Sequence, residues 1–267
     1  MTQSNDIVAA IEDWKAQRIN AAQLMRRLIA HRAWQVPISA QAAQDVLADP
    51  ANSRIQYSRD EEGVTRLYLF SNPAAYTTFR ELTGAQGEQF FISTAGEWVF
   101  GLPFDEIDTL VIDAGTPHEI GYGQAQFARL HELTEAMEIE RLLSALRFGS
   151  AGSGDALRVA QFTRFLLPVL KTDEGMHLCH APDKRERQLA AIFTDEDAFE
   201  LAYEELAATY HHGQVMMMRL SGAQLFEALK PLPLDGLVFN FAGPTQPIAF
   251  APAFSQVMLD TLATSSS

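Results

Sequence analysis

Two segments place polar side chains where an apolar run breaks off. Leu237-Val238-Phe239 gives way to Asn240-Phe241-Ala242-Gly243-Pro244-Thr245-Gln246, and Leu110-Val111-Ile112 gives way to Asp113-Ala114-Gly115-Thr116-Pro117-His118. A carboxamide, a hydroxyl and a second amide within seven residues can ring a small polar ligand with hydrogen bonds. In α/β sheets, ligands commonly sit beyond the carboxyl ends of the strands. Glycine admits the positive φ such a loop needs, and proline stiffens the backbone after it. The candidate ligand- or partner-binding residues are therefore Asn240, Gly243, Pro244, Thr245 and Gln246 in one loop, and Asp113, Gly115, Thr116 and His118 in the other. The competing reading is a turn that the fold requires twice. The side chains do not match, Asp113 standing for Asn240 and His118 for Gln246, which favours that turn or a function in one copy only.

Other clusters point to chemistry less well. Met176-His177-Leu178-Cys179-His180 has metal-like residue types. On a strand, His177 and Cys179 share a face and His180 points away, and two ligands do not close a zinc site, so a half-buried strand with a packed cysteine is expected. Tyr210-His211-His212-Gly213 suits a helix end. The carboxylates Asp195-Glu196-Asp197 follow Thr194 as the first turn of a helix would, with Thr194 as the cap. Met216-Met217-Met218 reads as a core strand, with a methionine-lined recognition groove as the alternative. The glycine-rich Gly149–Asp155 lacks the Lys-Ser/Thr ending of a phosphate loop, and no G-x-S-x-G nucleophile turn is present. No catalytic residues, metal ligands or cofactors are assigned.

Composition narrows the partners. The 267 residues carry a formal net charge of -14, with 47% hydrophobic and 20% charged residues. That balance builds an ordinary core in one large or two modest domains. A surface this acidic repels phosphate backbones and anionic lipid heads, so nucleic acid and membranes are not expected as partners. No run approaches the ~18 apolar residues of a membrane span, and the start, MTQSNDIVAA, lacks a secretory pattern. The one cysteine, Cys179, cannot form an internal disulfide. A cytoplasmic location in a bacterium-like cell is expected.

The elements that position these residues recur. Arg66–Leu82 reads like Gln188–Leu206: Phe70 answers Phe193 and Tyr76 answers Phe199, each 123 residues on. Further along, Gly96 answers Gly222, Asp108 answers Asp235 and Gly115 answers Gly243, at offsets of 126, 127 and 128. Val36–Ile38 answers Leu167–Val169, which puts an extra piece near 39–54 in the first copy. Each copy orders its elements as a strand near 34–39 or 165–170, one near 55–59 or 176–180, and one ending at Phe70 or Phe193. A helix comes next, then a strand, a short helix, and the strand that enters the Ala-Gly loop. Strands alternating with helices make a mixed sheet with helices packed on it. The second copy's first helix shows an apolar stripe of Phe199, Ala202, Tyr203, Leu206 and Tyr210. Expected caps are Ser71 or Asn72, Ser93 or Thr94, and Ser221.

Between the copies, 121–147 reads as one helix with two opposed apolar faces, Phe127, Leu130, Leu133 and Met137 on one, and Ile139, Leu142, Leu143 and Leu146 on the other. A break near Ala136 is the alternative. Ile7, Ile11 and Trp14 mark an N-terminal helix, and Leu24, Met25, Leu28 and Ile29 a second that starts near Asn20; the tail LATSSS should fray. The fold class is thus α/β, with two tandem, mutually similar mixed-sheet domains joined by a long helix and a Gly/Ser linker. The expected divisions are an N-terminal helix at 1–20, a first domain at 21–123, a bridging helix and linker at 124–157, and a second domain at 158–267.

The stretches IFTDEDAF and LFEALKPLPLDGLVFNFAGPTQPIAF resemble the bacterial SseB-like domain family, across nearly all of 158–258. Leu234-Asp235-Gly236, two aliphatic positions and Asn240, then Gly243-Pro244, are its most specific part. The first copy, about 22–122, resembles the family more weakly, since Thr109 replaces Gly236 and Asp113 replaces Asn240. The resemblance implies a small α/β domain, often duplicated, in soluble bacterial proteins, with a family label tied loosely to serine sensitivity and type III secretion. It brings no catalytic residues. Together these features lead to the expectation of a non-enzymatic regulatory or interaction protein whose partner is another protein. Exposed aromatic or Met-rich patches beside the Ala-Gly loops would be its contact surface. The alternative is a small-ligand sensor or weak enzyme using Asn240, Thr245 and Gln246.

Overall fold

The computed structural model describes residues 4–38, 58–59, 61–84, 90–102, 106–210, 214–243 and 245–265. The extra piece expected near 39–54 and most of the strand expected near 55–59 lie outside these. The chain forms two compact units, 1–135 and 136–267. Both are mixed α/β.

The first unit contains α1 (Ser4–Lys15), α2 (Ala21–Ala30), β1 (Trp34–Ile38), β2 (Ser58–Arg59), β3 (Thr65–Leu69), α3 (Pro73–Thr83), β4 (Phe90–Thr94), α4 (Gly96–Phe100), β5 (Thr109–Ile112) and β6 (Ile120–Gly123). Helix α5 (Gln124–Arg147) runs unbroken across the boundary. The second unit continues with α6 (Ser153–Gln161), β7 (Phe165–Thr172), β8 (Gly175–Leu178), β9 (Leu189–Ile192), α7 (Glu196–Thr209), β10 (Gln214–Leu220), α8 (Gly222–Leu229), β11 (Gly236–Phe239), β12 (Ile248–Phe250) and α9 (Phe254–Ser265). The sixth strands β6 and β12, and the ordered helix α9 through most of the tail, are additions to the pattern the sequence suggested.

The pairing repeats with the elements. β1 pairs antiparallel with β4, β3 parallel with β5, and β5 antiparallel with β6. In the second unit β7 pairs antiparallel with β10, β9 parallel with β11, and β11 antiparallel with β12. An antiparallel bridge joins the halves of each sheet, Gln35 to Phe70 and Leu166 to Phe193, and in the second unit another joins His180 to Ala190. The second strands differ: β2 pairs with β3, whereas β8 forms a hairpin with β7. Asp108 and Asp235 clasp the start of each parallel pair, their carboxylates accepting from Thr65 N and Gln188 N at 2.8 Å in both cases.

Period-two alternation splits the second sheet's side chains between two cores. Leu166, Ala191, Phe193, Val215 and Val238 pack under α7, through Ala198, Ala202 and Leu206. Phe165, Leu167, Ile192, Leu237 and Phe239 face α6, α8, α9 and the second half of α5. Strands β9 and β11 are buried along their whole length, as a parallel pair covered on both faces must be. The buried stripe of α7 is narrower than expected. Ala198, Ala202 and Leu206 are buried, Phe199 and Tyr210 are half-buried, and Tyr203 is 43% exposed.

Helix starts obey local chemistry, with two corrections. Asn72, Ser221 and Asn20 accept from the backbone N–H three residues on. Thr194 is not the cap of α7; Asp195 is, one residue later, accepting from Ala198 N at 2.9 Å. Neither Ser93 nor Thr94 caps α4, whose N-cap is Ala95 without a side-chain bond. There the strand runs straight into the helix, and Gly96 N is taken by His31 O at 2.7 Å.

The repeat is longer than the sequence comparison found. In α1, Ile7, Ala10 and Ile11 are buried; in α5, Ile139, Leu142 and Leu143 are. Both helices stop five residues short of the next one, α2 or α6. The second half of α5 thus matches α1 in burial pattern and in its spacing to the next helix.

Candidate functional site

Each Ala-Gly loop begins with a residue in the left-handed region, Asp113 at φ 51° and Asn240 at φ 53°. Asparagine and aspartate tolerate this conformation better than other non-glycine residues. In both units the backbone N–H of that residue extends the parallel ladder by one bond, Asp113 N to Leu69 O at 2.9 Å and Asn240 N to Ile192 O at 2.8 Å. The side chain then turns back across the sheet end.

In the second unit Asn240 is 1% exposed. Its Oδ1 accepts from Thr194 N at 3.0 Å, and its Nδ2 donates to Thr194 Oγ1 and to Glu140 Oε1, both at 2.9 Å. The Thr194 hydroxyl lies 3.1 Å from Glu140 Oε1 and 3.2 Å from Asp195 Oδ2. Glu140 comes from α5, so the helix, the end of β11 and the start of the α7 turn share one buried polar knot.

In the first unit Asp113, also 1% exposed, does the same work with a carboxylate. It accepts from Ser71 N and from Ser71 Oγ, both at 2.7 Å. Burial pushes its pKa up, and the Ser71 bonds and the nearby His118 and His31 oppose that push. The rest of this loop satisfies itself. Thr116 Oγ1 donates to Asp113 O at 2.8 Å, Gly115 N to Glu119 Oε2 at 2.6 Å, and His118 N to Thr116 Oγ1 at 3.1 Å. Lys15 of α1 donates to Pro117 O at 2.7 Å, pinning the turn from outside. Gly115, at φ 74°, is needed for its conformation.

Gly243 N closes the second loop on Asn240 O at 3.0 Å, and a Cβ at Gly243 would come within 3.1 Å of Asn240 Cβ. Thr245 and Gln246 are exposed beyond it. Pro244 lies outside the described residues. The two candidate sets belong to different units, and within each the polar side chain nearest the sheet is spent on the fold. Sequence reasoning missed Glu140, Thr194 and Ser71 as its partners. The available signal was a glutamate between Ile139 and Leu143 on a helix face that otherwise reads as core.

The Met176–His180 segment keeps strand alternation, with His177 and Cys179 on one face as expected, and the pairing with β7 continues to Cys179 N, which donates to Pro168 O at 3.1 Å. His177, towards the far end of the sheet, is exposed, while Cys179 is fully buried among Leu166, Ala191 and Leu206. Burial raises the Cys179 thiol to about 11 and lowers the His180 imidazole. Among the described residues, no group of three or more His, Cys, Asp or Glu side chains is placed to hold a metal ion. The residues 211–213, after Tyr210, lie outside the description.

The methionines at 216–218 are not a buried strand. β10 is an edge, paired only with β7 among the described residues. Met216 is 40% exposed and Met176 62%. They share a face but flank β7 from its two sides, Met216 opposite Val169 and Met176 opposite Lys171. This surface is not beside the Ala-Gly loop, as expected, but at the other end of the sheet. Leu166 is bridged to Phe193 at the loop end, and Val169 and Lys171 lie about 10 and 17 Å further along β7 at ~3.3 Å per residue. The reason is topological. β10 runs parallel to β9, so its end at Leu220, not Met216, reaches the loop side.

No helix of the described residues is long and apolar enough to cross a membrane. No protein-family model matches the sequence, and no curated protein matches it. Among solved structures, the chain is similar at 10% identity to Anabaena Tic22, described as protein transport, over 80% of this chain and 88% of that one, with a TM-score of 0.20. A likeness that low carries no argument about fold or function.

Proposed function

We propose that the chain is a non-enzymatic, SseB-like cytoplasmic protein that works by binding another protein along the open edge of its second sheet. The observation that carries this is β10, seven residues with one charge, Arg219, and with Met216 exposed on one face. An edge strand presents unpaired backbone groups, and proteins usually blunt such edges with charge, proline or bulges. β10 has no proline and keeps an unbroken register over its full length.

The family reading draws support from the work its most specific residues do here. Asp235 clasps the start of the parallel pair and Asn240 locks its end, so the segment Leu234–Asn240 acts as a fold signature. The engagement of Asn240 also favours the structural reading of the loop over ligand capture.

Photo-crosslinking in cells tests this, with the reactive residue at position 216 and, as a control, at the exposed Leu232. Discrete protein adducts are expected from 216 and not from 232. The reading is overturned if 216 yields no more adduct than 232 while a polar metabolite raises the Tm and Thr245→Ala with Gln246→Ala abolishes that shift.

A further inference from the structure

The edge of β10 also carries information on the chemistry of a strand that would pair with it. On one side of the sheet lies α7, whose sequence EDAFELAYEELAAT holds five acids and no base, preceded by the capping Asp195. Glu196 reaches Arg219 of β10 at 2.8 Å, which fixes the flank of α7 that borders this edge. At 100° per residue, Glu200 and Tyr203 lie on or next to that flank, and both are exposed. On the opposite side of the sheet the bordering side chains of β10 are the exposed Met216 and the half-buried Met218. A strand laid against β10 would thus have acids and a tyrosine ring beside one set of its alternate side chains, and methionines beside the other.

We infer that β10 accepts an extended segment of a partner protein in which apolar residues alternate with lysine or arginine. This rests on the reading of β10 as the contact edge. Backbone hydrogen bonds along the strand would give affinity and the alternating side chains specificity, as in strand addition generally. Basic side chains meet Glu200 and the ring of Tyr203, apolar ones meet Met216, and the net charge of -14 steers a basic segment inward. A second copy of this chain fits less well. Two β10 strands paired antiparallel about a two-fold axis normal to the sheet keep both α7 helices on the same side, acid beside acid. Among the described residues, the first unit lacks the same design. Its edge strand β4 has five residues, its Phe91 packs on Tyr76 at 5.7 Å, and α3 carries one arginine and one glutamate.

Fluorescence anisotropy with the full chain tests the inference. The probe is a labelled peptide of alternating valine and lysine; its relatives carry glutamate for lysine, or one central proline. The valine–lysine peptide should bind and weaken about tenfold on raising salt toward 1 M, where screening reaches ~3 Å. The glutamate and proline forms should fail to bind, the second because it removes a strand hydrogen bond without touching the protein. Glu200→Lys, on the exposed face of α7, should lower the affinity several-fold with an unchanged Tm. Equal binding of the proline form would overturn the inference, since charge alone would then suffice, as would no binding of the valine–lysine form. A concentration-dependent dimer abolished by Met216→Lys would also overturn it, assigning the edge to a second copy. Loss of peptide binding with crosslinks at 216 intact would sink this inference alone; loss of both would sink the contact edge itself.

Discussion

Asp113 and Asn240 occupy corresponding positions and differ only in whether the side chain ends in oxygen or in an amide. The carboxyl group missing from Asn240 is supplied by Glu140, whose Oε1 lies 2.9 Å from its amide. The first knot draws its carboxylate from the strand end, and the second draws one from the helix, with Asp195 beside the Thr194 hydroxyl as well. Asn240→Asp would place two buried carboxylates in contact, and one must then take up a proton or move. A loss of about 3 kcal/mol or more is expected in denaturant unfolding at neutral pH, as when a buried charge is left uncompensated. Glu140→Gln should restore most of it in the double variant. Asp113→Asn should do the opposite. Because burial raises the Asp113 pKa, its favourable contribution is complete below the unfolded value near 3.8 and is lost as pH rises through the folded value. The Asn variant should therefore be more stable than the parent at pH 7, with the advantage shrinking as the pH falls toward 4 in paired melts. The loop residues were legible in the sequence as a repeated pattern, but their role was not. A hydrogen bond between residues 46 or 100 positions apart leaves no local trace, so Thr194 and Glu140 could not be paired with Asn240 by reading along the chain.

At the scale of elements, two glycines hold the short helices against their neighbours. Gly96 and Gly222 both come just after an edge strand, and a Cβ at either would strike backbone, the carbonyls of Leu28 and Ile29 in one case and of Val159 and Ala160 in the other. Backbone atoms cannot swing aside as side chains do. Gly96→Ala and Gly222→Ala are each expected to cost roughly 1–3 kcal/mol, the range for overpacking, read as a lower midpoint at unchanged m-value. The matching of Gly96 with Gly222 was visible in the sequence, and its reason is structural: strand and helix meet without a loop. The helix caps were legible to within a residue, because Asn, Asp and Ser compete for adjacent positions at such starts. β6 and β12 went unread. Four and three residues, with Gly121 and Gly123 in one of them, are too short to show alternation.

For the whole molecule, the informative element is α5. Its second half repeats α1, so the boundary between units falls inside a continuous helix rather than in the Gly149–Asp155 segment that composition singled out. The opposed apolar faces at 127–133 and 139–146 were legible from spacing alone. That the second face belongs to the repeat was not, since α1 and α5 share burial pattern more than sequence. Ile139, Leu142 and Leu143 form part of the second core, and Glu140 part of its knot. A fragment of 136–267 should accordingly fold, with cooperative melting by circular dichroism, while 149–267, stripped of those side chains, should not. A cooperative melt of the shorter fragment would show that the helix is dispensable.

The burial of Cys179 has a practical corollary. All three tryptophans, Trp14, Trp34 and Trp98, lie in the first unit, and the single thiol lies at the centre of the second. Nature has thus labelled the halves separately: indole emission tracks the opening of one, and capture of the sulfhydryl by an alkylating dye tracks the opening of the other. Monitored together in one urea titration of the unaltered chain, the two signals would reveal whether the halves melt in concert or one after the other.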